Sequence, residues 1–337
     1  MDLNGFIDRL PKAEMHLHLE GTVPWSTAQP YTAPEQAYET PPWIQADHRF
    51  ADFKDFSTAM RPCITYLQSS VEHYGSAAAA YFAHLIAQNV RYVEVSIGMG
   101  LVLLNGKNDP AEVVAAIRAA APLGLHVRVI GGINRRYVHS LHSEETRAIL
   151  ETPGIDGIDL QSDERISGPC MFLDIYRAAE ERGYLLRAHA GELAGPAAIR
   201  ETLNCLHVTR IEHGVTAIQD EELIERLVNN PTITLDMCPT SNVKLCVVES
   251  LATHPIGELL RRGVKVTCST DDPGVLGVSL TDELRNLVVY QNFTAHELAA
   301  LQINAFRAAR LPDDIRDSLI SEVQALTDRF VAEAESA

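Results

Sequence analysis

Residues 13–21 read AEMHLHLEG, and whether they form a strand decides if the chain holds seven β-rich runs or eight. Side chains on a strand alternate faces, which puts Met15, Leu17 and Leu19 on one side and His16, His18 and Glu20 on the other. A half-exposed strand would read the same way, so the two histidines alone leave surface polarity and a metal site both open. Seven further runs follow at 90–97, 125–133, 155–161, 184–190, 208–214, 232–238 and 264–270, VRYVEVSI and VKVTCST being the first and last. Helix-like segments separate them, among them 111–121, 170–183, 220–230 and 255–263, with Gly183 and Gly263 where helices would end. Eight β units alternating with α units predict an α/β fold, a closed (β/α)8 barrel of the TIM type. An open doubly wound sheet is the alternative. No GxGxxG follows the first strand, so dinucleotide binding has nothing to rest on.

The chain has 337 residues, and a barrel can use all of 1–337 as one domain. An insertion at about 22–88 is expected to cover the mouth. Its first part, 22–60, lacks periodicity and carries Pro34, Pro41 and Pro42, which reads as loop, while helical patterning starts near residue 71. A net charge of −17 argues against nucleic acid, whose phosphates are bound by clustered Lys and Arg. The six cysteines form no CxxC pair and no regular framework, the pattern of a reduced intracellular protein. The N-terminus has no signal-peptide pattern, and no apolar run is long enough for a membrane span. A cytoplasmic location is therefore expected. A homo-oligomer is compatible with the sequence but not readable from it.

Chemistry in such barrels sits at the C-terminal ends of the strands. Those ends read HLHLE at 16–20, DLQSDE at 159–164, HAGE at 189–192, RIEHG at 210–214, CPTSN at 238–242 and STDDP at 269–273. Each has a bland reading: a core histidine, a turn, or an Asp that caps a helix before Pro. All of them at the same end of every strand is a different matter. His16, His18, His189 and Asp271 offer three imidazoles and a carboxylate to a single Zn2+ or similar ion, one position remaining for water. Such an ion lowers the pKa of a bound water from near 16 toward ~7. His213 is the free imidazole available as a base, Glu192 is placed to deliver a proton, and Asp272 to orient a substrate.

The set KAEMHLHLEG, DLQSDE, HAGE, RIEHG, CPTSN and STDDP resembles the adenosine deaminase family of the amidohydrolase superfamily. That resemblance implies one zinc on His16, His18, His189 and Asp271, and hydrolytic deamination of a 6-aminopurine. It gives Glu192, His213 and Asp271 catalytic roles, with Glu192 protonating the ring nitrogen beside C6 and His213 handling the attacking water. His18, Glu20, Ser162 and Asp272 would contact the substrate. Three positions depart from the adenosine enzymes, which carry Asp at Glu20, Gly at Ser162 and Gly at Glu212. The run CPTSNVKLCVV lies closer to the adenine deaminases, whereas DLQSDE keeps the Asp-Glu pair of the adenosine branch. The expected substrates are, in order, adenosine-type nucleosides, aminodeoxyfutalosine and free adenine. Arg135 and Arg136 would pair with a charged tail on such a substrate, or else are solvated loop residues. A two-metal hydrolase is disfavoured because strand four has no Lys. An inactive binding homologue is disfavoured because every ligand and proton-transfer residue is present.

Overall fold

The computed structural model describes residues 2–33, 38–104, 106–140 and 142–335. Pro34, read above as part of the loop, lies outside them. Eight strands form one sheet in sequence order, every neighbouring pair parallel. They are β1 (Lys12–His18), β2 (Val90–Gly98), β3 (His126–Asn134), β4 (Gly157–Gln161), β5 (Leu185–Ala190), β6 (Arg210–His213), β7 (Thr234–Met237) and β8 (Val266–Cys268). The opening stretch is a strand, and the fold is the expected TIM-type barrel. Leu19 and Glu20, however, have left β1 for a short 3-10 turn, Leu19–Thr22, so Glu20 does not share the histidines' face by strand alternation. The expected helix stops at Gly183 and Gly263 hold left-handed φ of 68° and 92°.

The barrel closes weakly at one seam. Between β1 and β8 the contact is a single bridge, Leu17 to Asp271. His18 N donates to Asp271 O at 2.9 Å, and Asp271 N to His16 O at 3.0 Å. Below the bridge, Thr270 N donates to a carboxylate oxygen of Glu14 at 3.1 Å, and Met15 N to Ser269 Oγ at 3.2 Å.

Three further points differ from the sequence reading or extend it. Residues 53–68 are helical, so the helix takes in 53–60 of the expected loop; Asp52 caps its first turn by accepting from Asp55 N at 2.8 Å. Cys170 and Cys205 form a disulfide, so the expectation of reduced cysteines does not hold for this pair. They are 35 residues apart in sequence, but the turn Pro169–Phe172 packs on the helix Pro196–Cys205 and brings their Cα atoms to 5.2 Å. Among the described residues, no helix is long and apolar enough to cross a membrane.

Lys244 hangs the mouth together. Its buried ammonium donates to Trp43 O at 2.7 Å and to Leu276 O at 2.6 Å, joining the helix after β7 to the segment between β1 and β2 and to the segment after β8. Burial pushes its pKa down to about 8.

Candidate active site

Period-two alternation on β1 aims His16 and His18 at the same point, and β5 and β8 deliver His189 and Asp271 to it. His18 Nε2 lies 3.3 Å from His16 Nε2 and 3.3 Å from His189 Nε2. An oxygen of Asp271 is 3.4 Å from His16 Nε2 and 3.3 Å from His18 Nε2. Ligands about 2.0–2.1 Å from a tetrahedral ion stand roughly 3.3–3.4 Å from each other, so these separations fit zinc. Burial lowers the pKa of His18 to about 4, leaving the neutral ring that a metal requires.

The second nitrogens of two of these rings are held from below. His189 Nδ1 is 3.1 Å from Asp159, and His16 Nδ1 is 2.8 Å from Glu212. Both carboxylates meet the same guanidinium: Arg187 Nε is 3.0 Å from Glu212 and Arg187 Nη2 is 3.3 Å from Asp159. Arg187 also donates to Glu94 at 3.0 Å and to Met15 O at 2.7 Å. Arg210 adds pairs to Glu94 and Asp236. The barrel interior beneath the histidines is thus an ion-pair cluster with essentially no solvent exposure. Its carboxylates, Glu94, Asp159, Glu212 and Asp236, outnumber its two guanidiniums, which favours a cation above them.

Facing the histidines are the groups expected to handle protons. Burial, followed by the charges of Asp271 and Glu164, pushes the Glu192 carboxyl well above its ordinary range, which favours its protonated form. Its backbone is fixed by Glu164, whose carboxylate accepts from the N–H groups of Gly191, Glu192 and Leu193 at 2.6 to 2.8 Å. His213 Nε2 lies 3.6 Å from Glu192, and burial drives this ring's pKa well below its usual value. Ser241 Oγ donates to Asp271 at 2.6 Å. Asp272 is buried with Oδ1 free of any protein hydrogen bond, and burial together with the Asp271 charge raises its pKa well above normal. A Cβ on Gly21 would stand 2.0 Å from that oxygen, so only glycine lets the carboxyl sit there.

Backbone strain marks the same places. Ser162, His213 and Asp271 hold φ of 81°, 67° and 65°, a left-handed region that non-glycine residues rarely adopt and that clusters at functional sites. Ser162 therefore holds a backbone conformation that glycine adopts more readily. Glu20 is buried and accepts from Gly98 N at 2.8 Å. Arg135 is not a solvated loop residue: it is buried and donates to Ser167 O and His189 O, both at 2.8 Å. Arg136 is exposed. Asp159, Glu164, Arg187, Asn242 and His254 had no role in the sequence reading, although Asp159 and Glu164 stand in the quoted DLQSDE and Asn242 in CPTSN.

A family model described as adenosine deaminase matches residues 11–326. An adenine deaminase of Streptomyces coelicolor is 32% identical over 329 residues, covering 94% of this chain and 95% of the relative. The crystal structure of an adenine deaminase from Arthrobacter aurescens superposes with a TM-score of 0.83 at 27% identity, covering 95% of this chain and 99% of that one. An amidohydrolase from Burkholderia ambifaria with bound Zn has the same fold, with a TM-score of 0.81 at 23% identity and coverage of 98% and 94%.

Proposed function

The chain belongs to the adenosine deaminase family, hydrolytic deaminases that act on C–N bonds, and from that premise we propose that it deaminates free adenine to hypoxanthine and ammonia. The observation that carries the choice of substrate is the match over nearly the whole of both chains to a relative named adenine deaminase at 32% identity. Two features agree with it. CPTSNVKLCVV runs closer to the adenine branch. Glu20, at the position associated with a ribose hydroxyl, already accepts a backbone hydrogen bond from Gly98. The adenine reading thus moves ahead of adenosine, which DLQSDE still favours as the second reading.

His16, His18, His189 and Asp271 would hold one zinc ion. What an ion there supplies is a water made nucleophilic at neutral pH. The neutral Glu192 donates its proton to N1, which draws electron density from C6 and opens it to the water oxygen. Asp271 accepts the proton the water loses and passes it to the departing amino group, while His213 hydrogen-bonds the oxygen at C6. When ammonia leaves, the proton on that oxygen returns to Glu192, so the acid is regenerated and the C6 carbonyl forms. Asp272 Oδ1, buried without a partner, meets the imidazole edge of the purine.

An ultraviolet assay of zinc-loaded protein against adenine, adenosine, deoxyadenosine, AMP and aminodeoxyfutalosine tests this. Adenine is expected to give the highest kcat/KM. A nucleoside turned over faster than adenine would return the substrate to the adenosine branch, and no turnover across the panel would defeat the reading.

A further inference from the structure

We infer that Asn242 and His254 are positioning residues that decide which nitrogen of His213 carries its proton, and this rests on the deaminase reading only for its catalytic consequence. The chain of hydrogen bonds begins at a backbone group. Ile256 N donates to His254 Nδ1 at 3.2 Å. A backbone N–H can only donate, so His254 Nδ1 is bare and the neutral ring bears its proton on Nε2. Burial keeps the ring neutral, its pKa pushed down to about 3. Nε2–H then donates to Asn242 Oδ1 at 3.1 Å.

With its oxygen so engaged, Asn242 turns its NH2 toward the site. That nitrogen lies 3.2 Å from His213 Nδ1 and 3.5 Å from a carboxyl oxygen of Glu192. An amide NH2 offers donors only, so His213 Nδ1 must accept, and the neutral imidazole carries its proton on Nε2. Asn242, His213 and His254 are all buried. Reversing the amide would require the other tautomer of His254 and would set that ring's N–H against the Ile256 N–H.

The consequence falls on the role of His213. Nε2 is the nitrogen that faces Glu192, and the ring packs edge-on to His16 and His189 with centroids 4.6 and 5.2 Å away. A ring whose Nδ1 faces an amide donor cannot shift its proton there without opposing two N–H groups. His213 therefore enters the reaction as an N–H donor to the oxygen at C6, not as the base that the sequence reading assigns. The base is Asp271.

Long-range 1H–15N NMR of zinc-loaded protein labelled at histidine tests this directly, with the His213 signals identified by their loss in His213→Gln. Wild type is expected to show His213 protonated at Nε2 and bare at Nδ1, and His254 likewise. Asn242→Asp puts an acceptor against Nδ1, moves the proton to it, and lowers kcat by about 100-fold or more, as a wrong-tautomer substitution does, with zinc content unchanged. His254→Gln retains a donor to Asn242 and keeps the tautomer, whereas His254→Leu yields a mixture. A wild-type His213 protonated at Nδ1 overturns the inference, as does an Asn242→Asp protein in which the proton has not moved. Beyond His213→Gln for the assignment, the wild-type spectrum needs no variant to fold. It stands even if no purine is turned over, so failure of the deaminase reading is told apart from failure of this one.

Discussion

Glu192 shows how a single buried carboxyl is readied for its chemistry. Burial raises its pKa, which favours the form able to give a proton away. The sign of the pH dependence follows: activity persists while the acid keeps its proton and falls as pH rises through the elevated pKa. Glu192→Gln keeps shape and neutrality but has no proton to transfer, and kcat is expected to drop by roughly 10²- to 10⁴-fold with zinc retained. Near wild-type turnover in this variant would mean that another group is the acid. The carboxylates under the ligand rings act on the metal instead. Asp159→Asn and Glu212→Gln are each expected to weaken zinc binding by about 10- to 100-fold, measured by competition with a chromophoric chelator. The residues at the ends of the strands were legible in the sequence because period two and barrel topology send them to one mouth. Asp159, Glu212 and Arg187 were not. Their partners lie on other strands, and only the register of β2, β4, β5 and β6 brings them together.

The helix Pro239–Lys244 carries Ser241, Asn242 and Lys244, and its first turn is held from behind by Glu283. That carboxyl, on the helix Leu280–Gln291, accepts from Thr240 N at 2.9 Å, and burial raises its pKa to about 8, aided by Glu14 and Asp282. A raised carboxyl binds its proton more tightly folded than unfolded. Its stabilising effect is therefore complete below the ordinary value of 4.5 and is lost as pH climbs through about 8. Glu283→Gln removes that dependence, and its Tm is expected to exceed wild type by roughly 3–6 °C at pH 8.5 while matching it near pH 5. A constant difference at both pH values would rule Glu283 out as the source. Elements of this kind were partly legible. The strands fell within a few residues of their predicted places because each is a short apolar run between turn signals. The helix Phe53–Gln68 was obscured by the aromatic, proline-rich sequence before it, in which the cap at Asp52 is the only local start signal. The disulfide was not readable at all, since nothing in the spacing of Cys170 and Cys205 reports which helix the turn packs against.

Across the whole molecule, three of the four proposed zinc ligands stand at the barrel seam. His16 and His18 stand on the first strand, Asp271 just after the last, and the bridge between those strands runs through Leu17 and Asp271. Removing the ion proposed there is therefore expected to loosen the closure as well as stop the chemistry. With the metal a hundredfold above its Kd, chelation is expected to remove about 2.7 kcal/mol and lower Tm by roughly 4 °C, recovered on adding zinc. Hydrogen exchange should quicken most in β1 and β8. A uniform change across all eight strands would contradict the link. The seam also bears on how the protein is made. Asp271 is synthesised long after His16 and His18, so no nascent chain that stops before it can assemble the full set of four ligands. Capture of the ion by all four residues thus waits for the segment after β8, and a chain that stops short of β8 would lack both its clasp and its catalyst.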